Sequence, residues 1–251
     1  MSNTDAVVTY DTSLFGAVIA TTASDITDAT TVTCTVTFDT PVKAVDALAL
    51  IELKLGLAGT SAGASIASVL ETNASTAYTV EITTGGDGTL ALTLTDDDTI
   101  SNLADAPLNG PNAGGSEPIY GPMIEVDKTS PTLVSVQRAF NAARGTNETT
   151  VIFEVTFSDI VTGVDASDFA IACKDATADV ASVATLGNTA LVVCNVKAAV
   201  GTYALSVKTA ATMTNRVGLG YATGTPDPNE DYFILTQAPQ TSVETWSWTL
   251  Y

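Results

Sequence analysis

The chain has 251 residues, which is enough for two cores of ordinary size, and its hydrophobic fraction of 45% is typical of a globular protein. It carries 9 basic and 28 acidic residues, a formal net charge of −19, so we expect no nucleic-acid partner and no affinity for anionic membrane surfaces. It contains no histidine, which removes the commonest general base and the commonest zinc ligand, so we expect no enzyme and keep a hydrolase that uses two carboxylates as an alternative. We also expect no cofactor and no metal site.

Strand patterns follow one another along most of the chain. Runs in which β-branched or aromatic residues alternate with Thr, Ser or charged residues predict strands at 31–38, 78–83, 89–94, 151–157, 191–196 and 203–207. Turn residues rich in Gly, Asn, Asp and Pro separate these runs. Alternation with a period of two buries one face of each strand, which favours antiparallel sandwiches.

Two segments in the first half of the chain are less clear. Residues 62–70 fit either a short helix or a loop followed by a strand. The leucine-rich stretch 45–57 is interrupted by Asp46, Glu52 and Lys54 and is too short to span a bilayer, so we expect no membrane insertion. No segment has the sustained period of an amphipathic helix.

The sequence contains the same pattern twice. Residues 30–50 recur as 149–169, a shift of 119 positions, and residues 88–94 recur as 201–207, a shift of 113. Two blocks in the same order at nearly constant spacing indicate a tandem duplication of a unit of about 110–120 residues, the size of one small domain.

The duplication predicts equivalent positions in two cores. Phe38 and Phe157 each end the second strand of their copy on its apolar side, so we expect both to be buried. Leu50 stands where the second copy has Phe169, which predicts a mild change in packing.

Three segments carry strand-and-turn signatures: VTFSDIVTGVDASDFAI at 155–171, GDGTLALTLTDDDTISNLADAPLNG at 86–110 and the junction VDKTSPTLVSV at 126–136. Together they resemble the bacterial immunoglobulin-like repeats of large surface adhesins and cell-wall proteins. The resemblance implies an all-β chain of two tandem immunoglobulin-like β-sandwich domains with extra terminal strands. It also implies an extracellular or cell-surface location.

The junction segment predicts how the chain is divided. We expect an N-terminal assembly strand (1–12), domain 1 (13–126), domain 2 (127–236) and a C-terminal assembly strand (237–251). The first segment resembles the junction, where one repeat's last strand leads into the next, and the last segment has the alternation of a strand. The side chains expected to make assembly contacts are Val7, Val8, Tyr10, Trp246, Trp248 and Leu250.

These features predict a structural subunit of an extracellular filament or surface layer. Copies would polymerise head to tail by β-strand addition, forming a linear or helical homo-oligomer. One alternative is an adhesin-type binding module that recognises a glycan or a surface protein, although the predicted loops hold no aromatic cluster. Another is that both terminal strands fold back onto their own domains.

Asparagine and cysteine residues add candidate covalent sites. Asn73 and Asn147 begin sequons in predicted loops just before strands, so each is a candidate for a covalent glycan. Cys34 lies on the apolar side of its strand, which predicts a small core side chain. Cys173 and Cys194 either form a disulfide within domain 2 or remain two separate buried thiols.

Residues 96–98, with Asp105 nearby, form the densest carboxylate cluster. Carboxylate oxygens are suitable calcium ligands, but the spacing matches no EF-hand loop. The second copy has alanines at 210–211 where the first has Asp97 and Asp98, so we predict a solvated acidic turn and keep a calcium site as the alternative.

Overall fold

The computed structural model describes residues 15–43, 47–110, 117–173, 177–196 and 200–235. The chain divides into two compact units, Met1–Lys128 and Thr129–Tyr251, which we name domain 1 and domain 2. Each has its own hydrophobic core of buried aliphatic and aromatic side chains.

Domain 1 is formed by two sheets. Its described elements are β1 (Ala17–Thr21), β2 (Ile26–Thr27), β3 (Thr31–Phe38), α1 (Ala47–Lys54), β4 (Leu55–Gly59), β5 (Ser65–Asn73), β6 (Ala77–Thr83), β7 (Gly88–Asp96), β8 (Glu117–Tyr120) and β9 (Ile124–Val126). One sheet has the order β1-β3-β6-β5, and the other has the order β2-β9-β7-β4 with β8 also paired to β7.

Domain 2 repeats this arrangement. Its described strands are β10 (Leu133–Arg138), β11 (Gly145–Thr146), β12 (Thr150–Phe157), β13 (Phe169–Cys173), β14 (Ala178–Leu186), β15 (Thr189–Val196), β16 (Gly201–Val207) and β17 (Asp231–Ile234). The sheets have the orders β10-β12-β15-β14 and β11-β17-β16-β13.

Apart from β8, the described strands of the two domains correspond one to one. In each domain the first strand is divided between the two sheets, and its second part pairs in parallel with the last strand, β2 with β9 and β11 with β17. All other strand pairs are antiparallel. This is the immunoglobulin-like sandwich arrangement. The predicted all-β class and the two tandem immunoglobulin-like domains are confirmed.

The cores follow the period-two pattern of the sequence. Along β3 and along β12, every second side chain is buried, and the last of them are Phe38 and Phe157. Phe38 is 3% exposed and meets Tyr78 edge-on with ring centroids 6.0 Å apart, while Phe157 is 1% exposed and meets Tyr221 at 6.2 Å. Both predicted core phenylalanines are therefore confirmed.

The helix α1 was not predicted. It consists mainly of Ala, Leu, Glu and Lys, which are strong helix formers, and Lys54 lies in its last turn, where a cation is favourable. Ile51 is fully buried but Leu53 is 78% exposed, so the apolar residues surround the helix instead of forming one stripe. An amphipathic period is therefore absent from this stretch. In the ambiguous stretch 62–70, residues 65–70 belong to the strand β5, so the interpretation as a loop followed by a strand is confirmed.

The same helix corrects one predicted correspondence. Leu50 lies within α1 and is not the counterpart of Phe169. The counterpart is Leu55, because Leu55 lies opposite Leu94 on β7 as Phe169 lies opposite Val207 on β16. In place of α1, domain 2 has a single 3-10 turn. This shorter connection explains most of the decrease in the shift between equivalent residues, from 119 positions before α1 to 113 positions after it.

Candidate functional site

The predicted assembly segments, 1–12 and 237–251, lie outside the described residues. So do all six side chains expected to make assembly contacts: Val7, Val8, Tyr10, Trp246, Trp248 and Leu250. Their roles remain predictions, and the described residues contribute the surfaces that such segments would meet.

A groove of about 260 Å³ opens on domain 2 beside β11. Its apolar lining includes Ala139, Ala142, Val151, Ile152 and Tyr232. Small-molecule pockets typically measure about 300–1,000 Å³, so the groove suits one or two large side chains better than a cofactor. The Tyr232 side chain at the base of the groove is fixed in position, because it is 3% exposed and its hydroxyl donates a hydrogen bond of 2.9 Å to the Ile152 carbonyl.

An exposed aromatic side chain lies on the rim of this groove. Phe140 is 76% exposed and has φ of 59°, and Asn141 follows with φ of 53°. The left-handed backbone conformation of a non-glycine residue costs of order 1 kcal/mol. The rest of the loop must therefore stabilise this conformation, in which the Phe140 ring is exposed.

Domain 1 has a shorter connection at the same place. Four residues join β1 to β2, whereas six join β10 to β11, although the flanking strands have the same register in the two domains. The immunoglobulin-like fold is therefore complete without the two additional residues, and the exposed ring of Phe140 is not a requirement of the fold.

Two arginines attach this longer connection to the start of β17. Arg138 donates to the Ala142 carbonyl at 2.9 Å, the Asp231 carbonyl at 3.1 Å and the Glu230 carboxylate at 3.2 Å. Arg144 donates through two nitrogens to the Asp231 carboxylate, and its guanidinium lies 5.9 Å from the centre of the Phe233 ring. The Arg144 hydrogen bond lowers the pKa of Asp231 below its usual value. The wall of the groove is thus held in place by charge-assisted hydrogen bonds.

The strand β14 forms one edge of its sheet. Among the described strands it pairs only with β15, from Ala178 opposite Val196 to Leu186 opposite Thr189. A register shift lies between Val180 and Ser182, and residues 182–186 then run without a charged residue or a proline. Leu186 is 87% exposed. Such an edge presents unpaired backbone groups with little to prevent another strand from adding to it.

The equivalent edge of domain 1 is more protected. Its strand β5 has two register shifts, between Ile66 and Ser68 and between Glu71 and Asn73. The Glu71 carboxylate also accepts a hydrogen bond from the backbone of Ser75. Bulges and charges of this kind discourage strand addition.

Both candidate glycosylation sites are exposed. Asn73 ends β5 in a tight turn in which Ala74 and Ser75 have positive φ. Asn147 lies in the loop between β11 and β12. Both positions are accessible, and modification remains a prediction.

The candidate disulfide is not formed in the structure, in which Cys173 and Cys194 are free thiols. They belong to different sheets of domain 2: Cys173 lies opposite Tyr203, and Cys194 lies opposite Val151. Burial raises the pKa of Cys194 to about 12, so it is a neutral core thiol at physiological pH. Cys34 is 5% exposed, which confirms its predicted core position.

The carboxylates of the acidic turn bind partners from their own domain. Asp96 is 3% exposed and accepts a hydrogen bond from the Asn109 amide at 3.0 Å. Asp97 accepts one from Lys54 at 2.6 Å, which is the main cause of its lowered pKa, and Asp105 pairs with Lys43. Within the described ranges, no three His, Cys, Asp or Glu side chains come together as a potential metal site.

The helices of the described ranges do not combine the length and apolar character needed to cross a bilayer. No protein-family model matches the sequence, and no curated protein matches it either.

Several solved structures are similar to the chain at low identity. The Escherichia coli adhesin FdeC is 19% identical with a TM-score of 0.39, covering 82% of this chain and 64% of that one. Yersinia pseudotuberculosis InvD is 15% identical with a TM-score of 0.38, covering 88% and 57%. Domains 1–6 of the surface layer protein SbsC are 13% identical with a TM-score of 0.27, covering 76% and 32%. The chain therefore spans less than two thirds of each of these chains, and its immunoglobulin-like class rests on its own strand order.

Sequence analysis did not identify the loop of Phe140 or its groove. The signal was present, because Arg138 and Arg144 bracket the loop in a chain with only nine basic residues. The additional length of this connection becomes visible only when the strand registers of the two domains are compared.

Proposed function

We propose that this chain is a structural subunit of an extracellular filament or surface layer, and that copies join head to tail by β-strand addition. The observation that carries the proposal is the edge of β14. The chain has 28 acidic residues, but the only charged residue of this nine-residue edge strand is Asp179. The Asp179 carboxylate accepts a hydrogen bond from the Asn195 side chain.

The donor in this proposal is a terminal segment of a second copy. Residues 7–10, Val-Val-Thr-Tyr, have the composition of a short strand. Strand addition obtains its affinity from main-chain hydrogen bonds and its specificity from alternate side chains, and Val8 and Tyr10 would supply the latter. A donor and an acceptor at different places on the subunit form a heterologous contact, which produces a linear or helical polymer when the rotation between copies does not close a ring.

The surface location and covalent glycans at Asn73 and Asn147 belong to the same proposal. The resemblance of residues 155–171 to repeats of surface proteins supports the location, and the exposure of both asparagines supports the glycans.

Electron microscopy of the purified full-length protein tests the proposal directly. We expect filaments from the wild type, and we expect monomers from a variant lacking residues 1–11. We also expect Ala184→Lys to prevent assembly, because a lysine on an exposed edge strand opposes pairing. The matched control is Ala67→Lys, the same change at an exposed position of β5, which should leave filaments intact. A wild type that stays monomeric at high concentration would overturn the proposal.

A further inference from the structure

The groove beside Phe140 lies next to the point where the described chain ends. Leu235 follows β17, and its backbone N–H donates a 2.7 Å hydrogen bond to the carbonyl of Thr146, a residue of the groove. A Cβ atom placed on Gly145, which also lines the groove, would lie 3.5 Å from the Leu235 side chain. Leu235 itself is 49% exposed. The chain therefore leaves domain 2 at the edge of this groove, which is lined by apolar side chains together with Thr146, Glu148 and Thr150.

The segment that follows has the side chains that such a groove accommodates. Residues 236–251 contain both tryptophans of the protein, Trp246 and Trp248, in an alternating pattern with Leu250. Tryptophan is enriched among the residues that anchor buried contacts, and a groove of about 260 Å³ has room for one or two large side chains. Ten residues lie between Leu235 and Trp246, and these eleven Cα–Cα steps reach up to about 36 Å, so the chain is long enough to return to the groove.

We propose that the groove formed by the β10–β11 connection and β12 binds residues 242–251 of the same chain, with Phe140 closing over an inserted tryptophan. The covalent link favours the chain's own segment over that of a second copy, because a short covalent connection gives an effective concentration of order millimolar. In this arrangement the rings of Phe140 and the tryptophan form an edge-to-face or offset contact. This contact would explain why Phe140 is exposed and has a left-handed backbone conformation, which the fold itself does not require.

This inference goes beyond the proposed function and does not depend on it. If the C-terminal segment covers its own domain, the N-terminal segment 1–12 is the one left for exchange between copies. A variant lacking residues 242–251 should then still assemble, whereas a variant lacking residues 1–11 should not.

Tryptophan fluorescence tests the inference without interference, because Trp246 and Trp248 are the only tryptophans in the chain. In the full-length protein we expect blue-shifted emission and slow quenching by acrylamide, both unchanged from nanomolar to micromolar concentration. Light scattering on the same samples establishes that the dilute protein is monomeric.

Two substitutions in the groove should expose the tryptophans. Phe140→Gly removes the ring and relieves the left-handed backbone, so a loss of folding cannot explain its effect. Ala143→Glu places a charge at an exposed position of the lining. We expect each to raise the quenching constant severalfold, and we expect the control Ala222→Glu, exposed elsewhere on domain 2, to leave it unchanged.

Three results would overturn the inference. Rapid quenching at every concentration would show that the segment does not dock. Protection that appears only as concentration rises would assign the segment to a second copy. Protection that neither groove variant alters would place the tryptophans on another surface. Microscopy decides separately whether the protein forms filaments, so a failure of this inference is distinguishable from a failure of the proposed function.

Discussion

Asn102 and Asn215 make the same hydrogen bonds in the two domains. The side-chain oxygen of Asn102 accepts the N–H groups of Ala104 and Ala106, both at 3.0 Å. That of Asn215 accepts the N–H groups two and four residues ahead at 3.2 and 2.8 Å. Each residue thus organises the loop that follows β7 in domain 1 or β16 in domain 2, because it accepts hydrogen bonds from backbone N–H groups of that loop.

Replacing either asparagine by alanine should therefore destabilise its domain. We expect a loss of up to about 1–3 kcal/mol, because a partly buried donor that loses its acceptor is not fully compensated by water. The effect should be larger for Asn215, which is 2% exposed, than for the half-buried Asn102. Urea unfolding measures the loss, and hydrogen exchange assigns it to a domain. Asn102→Asp, which keeps the accepting oxygen, is the control and should cost less than Asn102→Ala.

Truncation of either core phenylalanine should be among the most damaging single changes. Phe38→Ala and Phe157→Ala should each cost roughly 3–5 kcal/mol, since a large cavity remains in a packed core. Denaturant unfolding tests this, with Phe140→Ala as the control, because that side chain is 76% exposed. Equal losses from a buried and an exposed phenylalanine would contradict the assignment of the cores.

Calcium should leave the stability unchanged. Asp96 and Asp97 already bind Asn109 and Lys54, and domain 2 completes the same fold with alanines at 210–211. Thermal unfolding curves in chelator and in millimolar calcium should therefore superimpose. A large calcium-dependent rise in the melting temperature would instead identify a metal site at the acidic turn.

The ion pair of Arg144 and Asp231 should make domain 2 sensitive to acid. Because Arg144 lowers the pKa of Asp231, the folded state binds a proton less readily than the unfolded state. The stabilisation is therefore present above the unfolded pKa of about 3.9 and is lost as pH falls through the folded value. Asp231→Asn should reduce stability at pH 7, and its difference from the wild type should disappear as pH falls through the folded pKa of Asp231. A constant difference across this range would contradict the assignment.

The thiols should react in a defined order. Cys194 and Cys34 are buried, and burial raises the pKa of both, so alkylation in the folded state should be slow. Cys173 is half-buried and should react first.

The same chemistry tests whether a disulfide is present. Mass spectrometry after unfolding in alkylating agent without reductant should find three modified cysteines. Only one modified cysteine would indicate that Cys173 and Cys194 form a disulfide.

Much of the candidate surface was not predictable from local pattern. The edge strand β14 has no strong alternation, because most of its side chains are exposed and impose no apolar period. The loop of Phe140 has no recognisable motif, and its groove depends on Tyr232, which lies far away in sequence and comes from a different strand. Likewise, the free state of Cys173 and Cys194 depends on which sheets contain them.

The sequence by itself determined the β class, the duplication and the buried faces, because period-two alternation and the repeat of residues 30–50 at 149–169 are properties of local sequence. The tertiary structure alone decided that residues 47–54 form a helix, that Leu55 corresponds to Phe169, and that the loop of Phe140 lines a groove. The physical reason is that a strand's buried face follows from its own alternation. The conformation of a connecting segment follows instead from partners brought together by the rest of the fold, as Arg138 and Arg144 meet Glu230 and Asp231.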